Sequence, residues 1–236
     1  MQVIKYCLVY LVFLYSLAYA VSVSGANNSI YITQSGGSTA LTMNIDQIGN
    51  SNVVGTTGAR VSLTGTTMTV DIDQIGDSNV IAATVAQGNS NSFTLSSTGD
   101  SNTQTLALGA TGDVAGSDFD FAAVGDSNVL TYTAGAAATA TSGNTDIVIA
   151  GTSNNLNLVT EVVGATNNWD VDGDSNDIDT TQTGNANHSI TADITGNTNN
   201  IDIDQTNSGG STSGIVDIVG ITTGGIIDID QCSSGC

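Results

Sequence analysis

The feature that most limits how this chain can fold is a short motif, Gly-x-x-Asn, that recurs along most of its length. Successive motif asparagines are often 11 or 12 residues apart, and in three places they are 26 or 27 residues apart. The longer gaps fit two units of about 13 residues, so the motif marks an internal repeat. Because Gly and Asn readily adopt turn conformations, each motif predicts a turn. The motifs are Gly49/Asn52, Gly76/Asn79, Gly88/Asn91, Gly99/Asn102, Gly125/Asn128, Gly151/Asn154, Gly164/Asn167, Gly173/Asn176, Gly184/Asn187 and Gly196/Asn199.

Between the turns, apolar and polar residues alternate strictly. Ile201, Ile203 and Gln205 fall on one face of such a segment, and Asp202 and Asp204 fall on the other. Period-two alternation predicts a β-strand with one buried face. Two facing strands make a coil of roughly 22 to 26 residues, and stacked coils hydrogen-bond at about 4.8 Å. We therefore predict an all-β fold, a β-solenoid of stacked strand-turn-strand coils with cross-β geometry and about nine coils.

The charge balance restricts the partners that the chain can bind. The sequence has 2 Lys or Arg residues against 22 Asp or Glu residues, and its formal net charge is -20 at pH 7. Nucleic-acid binding requires basic side chains that face phosphate, and binding to anionic lipid requires the same charge. We therefore expect neither nucleic acid nor a lipid surface as a partner.

Residues 1–20 have the pattern of a secretory signal peptide. Lys5 supplies the positive charge, an apolar run follows from Cys7 to Leu17, and Ala18-Tyr19-Ala20 matches a cleavage site. The alternative is an uncleaved membrane anchor, for which the run is short. The prediction is secretion to the cell surface without stable membrane insertion, residues 21–231 as the repeat region, and residues 232–236 as a C-terminal tip. In that tip, Cys232 and Cys236 either form a disulfide or remain free or intermolecular.

Several amides fall on the apolar face of the predicted strands. A buried amide costs free energy unless it is hydrogen-bonded, and identical amides stacked along an axis satisfy one another. We expect Gln47, Gln74, Gln182 and Gln205, with the turn asparagines, to form such ladders inside the solenoid. The alternative is that these amides face solvent.

The full motif Gln-x-Gly-x-x-Asn occurs at Gln47-Gly49-Asn52, Gln74-Gly76-Asn79 and Gln182-Gly184-Asn187, and partial forms occur elsewhere. This pattern resembles the curlin repeat of the major subunit of curli, the functional amyloid of bacterial biofilms. The resemblance implies secretion, self-assembly into amyloid-like fibres, and a nucleating partner and an export channel. It also implies a stacking role for Gln47, Asn52, Gln74, Asn79, Gln182 and Asn187.

The predicted function is that of a structural subunit of an extracellular fibre for adhesion or biofilm matrix, not of an enzyme. Neither end of the repeat region carries the Pro or Lys that blunts strand edges, which favours head-to-tail homopolymerisation. The alternative is a non-polymerising β-solenoid adhesin or a decoration protein of a phage or cell surface. A third alternative, an ice- or mineral-binding solenoid, would require a sustained Thr-x-Thr array, which this sequence lacks. The single histidine, His188, is expected to be a solvated turn residue.

The acidic residues suggest cations rather than a cofactor. Asp170, Asp172 and Asp174 are candidates for a weak calcium site, although an EF-hand requires a different position for Gly. The alternative is a solvated acidic turn. Stacked outward aspartates would repel one another, so we expect assembly to need salt, divalent cations such as Ca²⁺, or lower pH.

Overall fold

The structure, a computed structural model, describes residues 17–25, 28–30, 40–49, 51–55, 61–64, 67–76, 78–87, 90–99, 101–108, 115–134, 141–161, 164, 166–184, 188–207, 215–221 and 224–233. Every regular element within these ranges is a β-strand. The strands are β1 (Leu17–Ser24), β2 (Leu41–Ile48), β3 (Val61–Thr64), β4 (Met68–Ile75), β5 (Ser78–Gln87), β6 (Ser92–Thr98), β7 (Ser101–Leu108), β8 (Ala115–Val124), β9 (Ser127–Ala134), β10 (Thr141–Ala150), β11 (Ser153–Glu161), β12 (Thr166–Asp172), β13 (Ser175–Gly184), β14 (Ser189–Thr195), β15 (Thr198–Asn207), β16 (Ile215–Ile221) and β17 (Gly224–Ser233).

The strands form two parallel sheets. The first sheet has nine strands in the order β1-β2-β4-β6-β8-β10-β12-β14-β16, and the second has eight in the order β17-β15-β13-β11-β9-β7-β5-β3. From β2 onward, consecutive strands lie in opposite sheets, so each even-numbered strand and the next odd-numbered strand form one coil. The protein is therefore a β-solenoid, and the predicted fold class is confirmed.

The coils have the predicted length, with small variations. Equivalent residues of successive coils are 27, 23, 26 or 22 positions apart, as in the pairs that join Asn52 to Asn79, Gln182 to Gln205, Asn102 to Asn128, and Asn154 to Asn176. The described strands make eight paired coils, and β1 adds one further strand. This count is slightly below the roughly nine coils expected from the chain length and a coil of about 22 to 26 residues.

The core is a narrow column between the two sheets. In β4 the burial alternates, so that Met68, Val70, Ile72 and Gln74 are buried while the residues between them are partly or fully exposed. Aromatic rings fill the middle of the column, where the Phe93 and Phe119 rings stack 5.5 Å apart between centroids. Because the coil is thin, each layer buries only a few side chains, and neighbouring coils complete its core.

Turn glycines stack along one edge of the solenoid because there is no room for a side chain. At Gly76, an added Cβ would overlap the carbonyl oxygen of Gly49 in the preceding coil and lie 2.5 Å from the Asn52 Oδ1 atom. The same overlap recurs at every member after the first of this glycine column, which comprises Gly25, Gly49, Gly76, Gly99, Gly125, Gly151, Gly173 and Gly196. The column explains why the motif begins with glycine.

The strand limits differ a little from the predicted boundaries. Strand β1 begins at Leu17, so it overlaps the last residues of the predicted signal peptide. Strand β17 continues to Ser233, so the solenoid includes the first two residues of the predicted tip. Cys232 is disulfide-bonded, while its predicted partner Cys236 lies outside the described residues.

Candidate functional site: stacked amides and open ends

Motif asparagines stack directly above one another beside the glycine column. The Nδ2 atom of Asn128 donates to Asn154 Oδ1 at 2.8 Å, and Asn154 Nδ2 donates in turn to Asn176 Oδ1 at 2.7 Å. These residues are almost fully buried. The asparagine column comprises Asn28, Asn52, Asn79, Asn102, Asn128, Asn154, Asn176 and Asn199.

The same amides also hold the turns closed. Asn128 Nδ2 donates to the carbonyl oxygen of Gly125 in its own turn at 3.2 Å and to that of Ala150 in the next coil at 3.1 Å. Gly125 lies in the turn after β8, and Ala150 ends β10 in the next coil, so the amide joins its own turn to the coil above it. Because a buried polar group without a partner is costly, the column stabilises both the turn and the stacking of coils.

The direction of donation along the column is the same over most of its length. From Asn102 to Asn176, each Nδ2 donates to the asparagine of the next coil. The amide of Asn79 instead donates to Asn52, and rotating it by 180° lets it donate to Asn102 Oδ1 and to the Gly76 carbonyl oxygen. The rotated amide continues the column toward Asn102, and because its Oδ1 then lies 2.8 Å from Asn52 Oδ1, the Asn52 amide must rotate with it so that Asn52 Nδ2 donates to Asn79.

Glutamines form shorter stacks within the core. Gln74 Nε2 donates to Gln47 Oε1 at 2.8 Å in the first sheet. In the second sheet, Gln205 Nε2 donates to Gln182 Oε1 at 2.7 Å, and Gln231 Nε2 donates to Gln205 Oε1 at 2.8 Å. Gln47, Gln74, Gln182 and Gln205 are all buried.

The glutamine stacks are interrupted, unlike the asparagine column. In the first sheet, Ser97 follows Gln74 in register. Gln104 lies between Ile81 and Leu130 in register, so its Nε2 donates to the Ala122 carbonyl oxygen at 2.8 Å. Whether a buried glutamine stacks thus depends on its in-register neighbours.

One column member was not identified from the sequence. Gly25 and Asn28 have the same spacing as the other motifs, and Asn28 Nδ2 donates to the Ile48 carbonyl oxygen at 3.1 Å. The spacing alone could have revealed this pair. Asn187, which was predicted to be part of the stack, lies outside the described residues.

The expectation for His188 is wrong, because its side chain is buried rather than solvated. Neither ring nitrogen has a hydrogen-bond partner within the described structure. Burial without a partner lowers the pKa of His188 below its usual value of 6.5, since a charged imidazolium is poorly solvated there.

Aspartates stack on the outer faces of both sheets. Asp46 and Asp73 are in register in adjacent coils, and burial followed by the charges of Asp73 and Asp46 raises the pKa of Asp71. In the second sheet, desolvation and then four neighbouring aspartates raise the pKa of Asp202. Each shift means that the folded protein disfavours the ionised carboxylate.

Among the described residues, one group of three carboxylates has its oxygens within 4.8 Å of one another, and it consists of Asp118, Asp120 and Asp146. Burial, then Asp118 and Asp146, raises the pKa of Asp120. The predicted calcium candidates Asp170, Asp172 and Asp174 are exposed, and the structure does not bring them together in this way.

A shallow groove of about 440 Å³ follows the outside of the second sheet. Serine and asparagine side chains dominate its lining, and Asp177 is the ionisable residue among them. Acid–base or nucleophilic catalysis requires at least two suitably placed reactive groups, so this lining offers no recognisable catalytic set.

The C-terminal coil leaves part of its inner face uncovered. Ile227 and Ile229 are in register with the buried residues Ile201 and Ile203, yet they remain 49% and 40% exposed. At the other end, Tyr19, Val21 and Val23 of β1 are only partly buried. The described part of each end therefore presents core positions that no further coil covers.

No protein-family model, curated protein or solved structure matches this chain. In the part of the chain that the structure describes, no helix has the length and apolar character needed to cross a membrane.

Proposed function

We propose that this protein is a structural subunit of an extracellular, amyloid-like fibre of the curli type, which assembles head to tail for adhesion or biofilm matrix. The observation that carries this proposal is the open C-terminal coil, in which core positions are exposed. A solenoid end with exposed core positions can bury them by adding another coil.

The exposed isoleucines give this association a driving force. Ile227 and Ile229 are about half exposed, whereas their in-register counterparts are 2% and 0% exposed. Fully burying an Ile side chain contributes about 1.5–3 kcal/mol, so covering the remaining half of each contributes roughly 1 kcal/mol. Main-chain hydrogen bonds along the open edges of β16 and β17 would add to this gain.

The geometry of the ends favours a filament over a closed oligomer. The two ends present different sequences, so a contact between them is heterologous. A heterologous contact that stacks one copy on the next along the axis does not close, so the filament can grow indefinitely. The internal stack of parallel strands and amides has the hydrogen-bonding pattern of cross-β structures.

An extracellular location is supported by two independent features. Residues 1–20 have the pattern of a signal peptide, and Cys232 is disulfide-bonded. Disulfides persist in oxidising compartments and are uncommon in the cytosol.

The direct test is electron microscopy of the purified chain, with thioflavin binding and fibre diffraction. We expect unbranched filaments with a meridional reflection near 4.7–4.8 Å. Ile227→Lys places a charge on the open inner face and should abolish filaments. Ile226→Lys is the matched control, because Ile226 is the neighbouring residue on the outer face and is 69% exposed.

The second candidate is a non-polymerising surface adhesin or decoration protein. The observation in its favour is the outward aspartate stacking, because like charges in register oppose the approach of two acidic copies. Stable monomers at high protein concentration in salt and calcium would support this second function and refute the fibre.

A further inference from the structure

We infer that, in the proposed fibre, residues 21–24, the part of β1 that remains after the predicted cleavage at Ala20, pair in parallel with β16 of the preceding copy, with Ser22 beside Val219 and Val21 over Ile218. This inference rests on the proposed function and specifies the contact by which copies join. Both partners are edge strands of the same sheet, since β1 and β16 are the two ends of its strand order.

The register follows from an uninterrupted column through the whole first sheet. Every pairing from β1 to β16 keeps the residue before each turn in line, from Ser24 through Ile48 to Thr195 and Ile221. Repeating the same step once more places Ser24 of the next copy beside Ile221. Val219 then lies beside Ser22, and Ile218 lies beneath Val21. The column containing Val21 is Val21, Ile45, Ile72, Leu95, Phe121, Ile147, Trp169, Ala192 and Ile218.

The side chains of this register are compatible on both faces. Val21 and Ile218 are both partly buried core positions, so their contact removes apolar surface from water. A shift by one residue would place outward side chains over inward ones. A two-residue shift keeps the faces but moves the turn of one copy off the turn of the other.

Charge favours this pairing of unlike ends over a pairing of like ends. Strand β1 contains no acidic or basic residue, whereas the last coil carries Asp217, Asp228 and Asp230. Two C-terminal ends would bring these aspartates together, and like charges in neighbouring strands repel. The neutral β1 avoids this repulsion.

Gly25 is the member of the glycine column whose packing indicates a missing neighbour. An added Cβ at every later member would overlap a carbonyl oxygen of the preceding coil, whereas at Gly25 it would meet nothing within 4 Å. In the inferred contact, this open space beside Gly25 faces the preceding copy.

The asparagine column does not continue across this contact. Gly225 is in register with Asn199, so the last coil has no side-chain amide at this position. The contact between copies therefore lacks the amide bridge found between coils within a chain.

Mixed-variant cross-linking tests the register. Fibres are grown from an equal mixture of Ser22→Cys and Val219→Cys chains, oxidised, and analysed by non-reducing electrophoresis and peptide mass spectrometry. Both positions are exposed and face outward, so neither substitution disturbs the core. Adjacent strands lie about 4.8 Å apart, within disulfide reach, so we expect covalent dimers that link residues 22 and 219.

The matched control mixes Ser24→Cys with Val219→Cys. Ser24 is also exposed, but it is displaced by two residues, which places the two Cα atoms about 8 Å apart and beyond disulfide reach. Fibres that cross-link this control as well as or better than the first mixture, or that link neither mixture, would overturn the inferred pairing and leave the fibre intact. A wild-type chain that forms no filaments would refute the proposed function itself.

Discussion

The asparagine column gives the most direct energetic prediction, because two neighbouring asparagines of β11 provide a matched comparison. Asn154 is buried, and its Nδ2 donates to Asn176 Oδ1 at 2.7 Å and to the Asp172 carbonyl oxygen at 3.0 Å. Its Oδ1 accepts from Asn128 Nδ2 at 2.8 Å. The next residue, Asn155, is exposed and donates to the Asp177 carboxylate at 3.1 Å.

Asn154→Ala removes these three hydrogen bonds and leaves their partners in a dry column. A net contribution of about 0.5–1.5 kcal/mol for each bond, with a further penalty for buried groups left unpaired, gives a loss of about 3–5 kcal/mol. Asn155→Ala removes one solvent-exposed bond, so we expect a loss below about 1 kcal/mol.

The assay is urea unfolding of the monomeric chain followed by circular dichroism, with hydrogen exchange to locate the effect. Because a solenoid is stabilised coil by coil, the loss of protection in Asn154→Ala should concentrate in β9, β11 and β13. Equal destabilisation by Asn154→Ala and Asn155→Ala would refute the argument that the buried amides hold the coils together.

Three further predictions concern the turns, the acidic surface and the buried histidine. Gly76→Ala should destabilise the chain by several kcal/mol in urea unfolding, whereas Gly143→Ala should be nearly neutral because its added Cβ meets nothing within 4 Å; equal effects would contradict the packing argument. Because the folded pKa values of Asp71 and Asp202 are raised, their contribution to stability is full below the unfolded value of 3.8 and is lost as pH rises through the folded values. Acid, salt or millimolar calcium should therefore speed filament growth measured by thioflavin. Growth that is as fast in chelator and low salt at neutral pH would count against this. Because the folded pKa of His188 is lowered, the stability that His188 contributes is present above the unfolded value of 6.5 and is lost as pH falls toward the folded value. Thermal melts should show this loss of stability in wild type and not in His188→Asn. A loss that persists in the variant would be due to other groups.

The sequence was sufficient to predict the strands and the fold class because both follow from local patterns. In β4 and β15, alternation alone separates the inward side chains, such as Ile72 and Ile203, from the outward aspartates. The motif spacing likewise gave the coil length to within a residue, since the turn and the strand repeat together.

Side-chain environments that depend on other coils could not be predicted in this way. His188 was expected in solvent because it follows a turn motif, but its side chain is buried. The cluster of Phe93, Phe119, Phe121 and Tyr132 joins residues from three strands of two adjacent coils, and no local pattern predicts that these strands meet. The same holds for Asp118, Asp120 and Asp146, whose carboxylates approach one another only through the pairing of β8 with β10.

By itself, the sequence determined the period, the inward and outward faces of each strand, and the need for glycine and asparagine at the turns, because these depend on backbone geometry within one repeat. The tertiary structure alone decided which amides stack and which ends stay open. Gln74 contacts Gln47 but Gln104 does not contact another glutamine, and Ile227 is exposed while Ile201 is buried. The physical reason is that stacking depends on which residue lies one coil away, a distance of 22 to 27 positions along the chain that is set by how each coil closes.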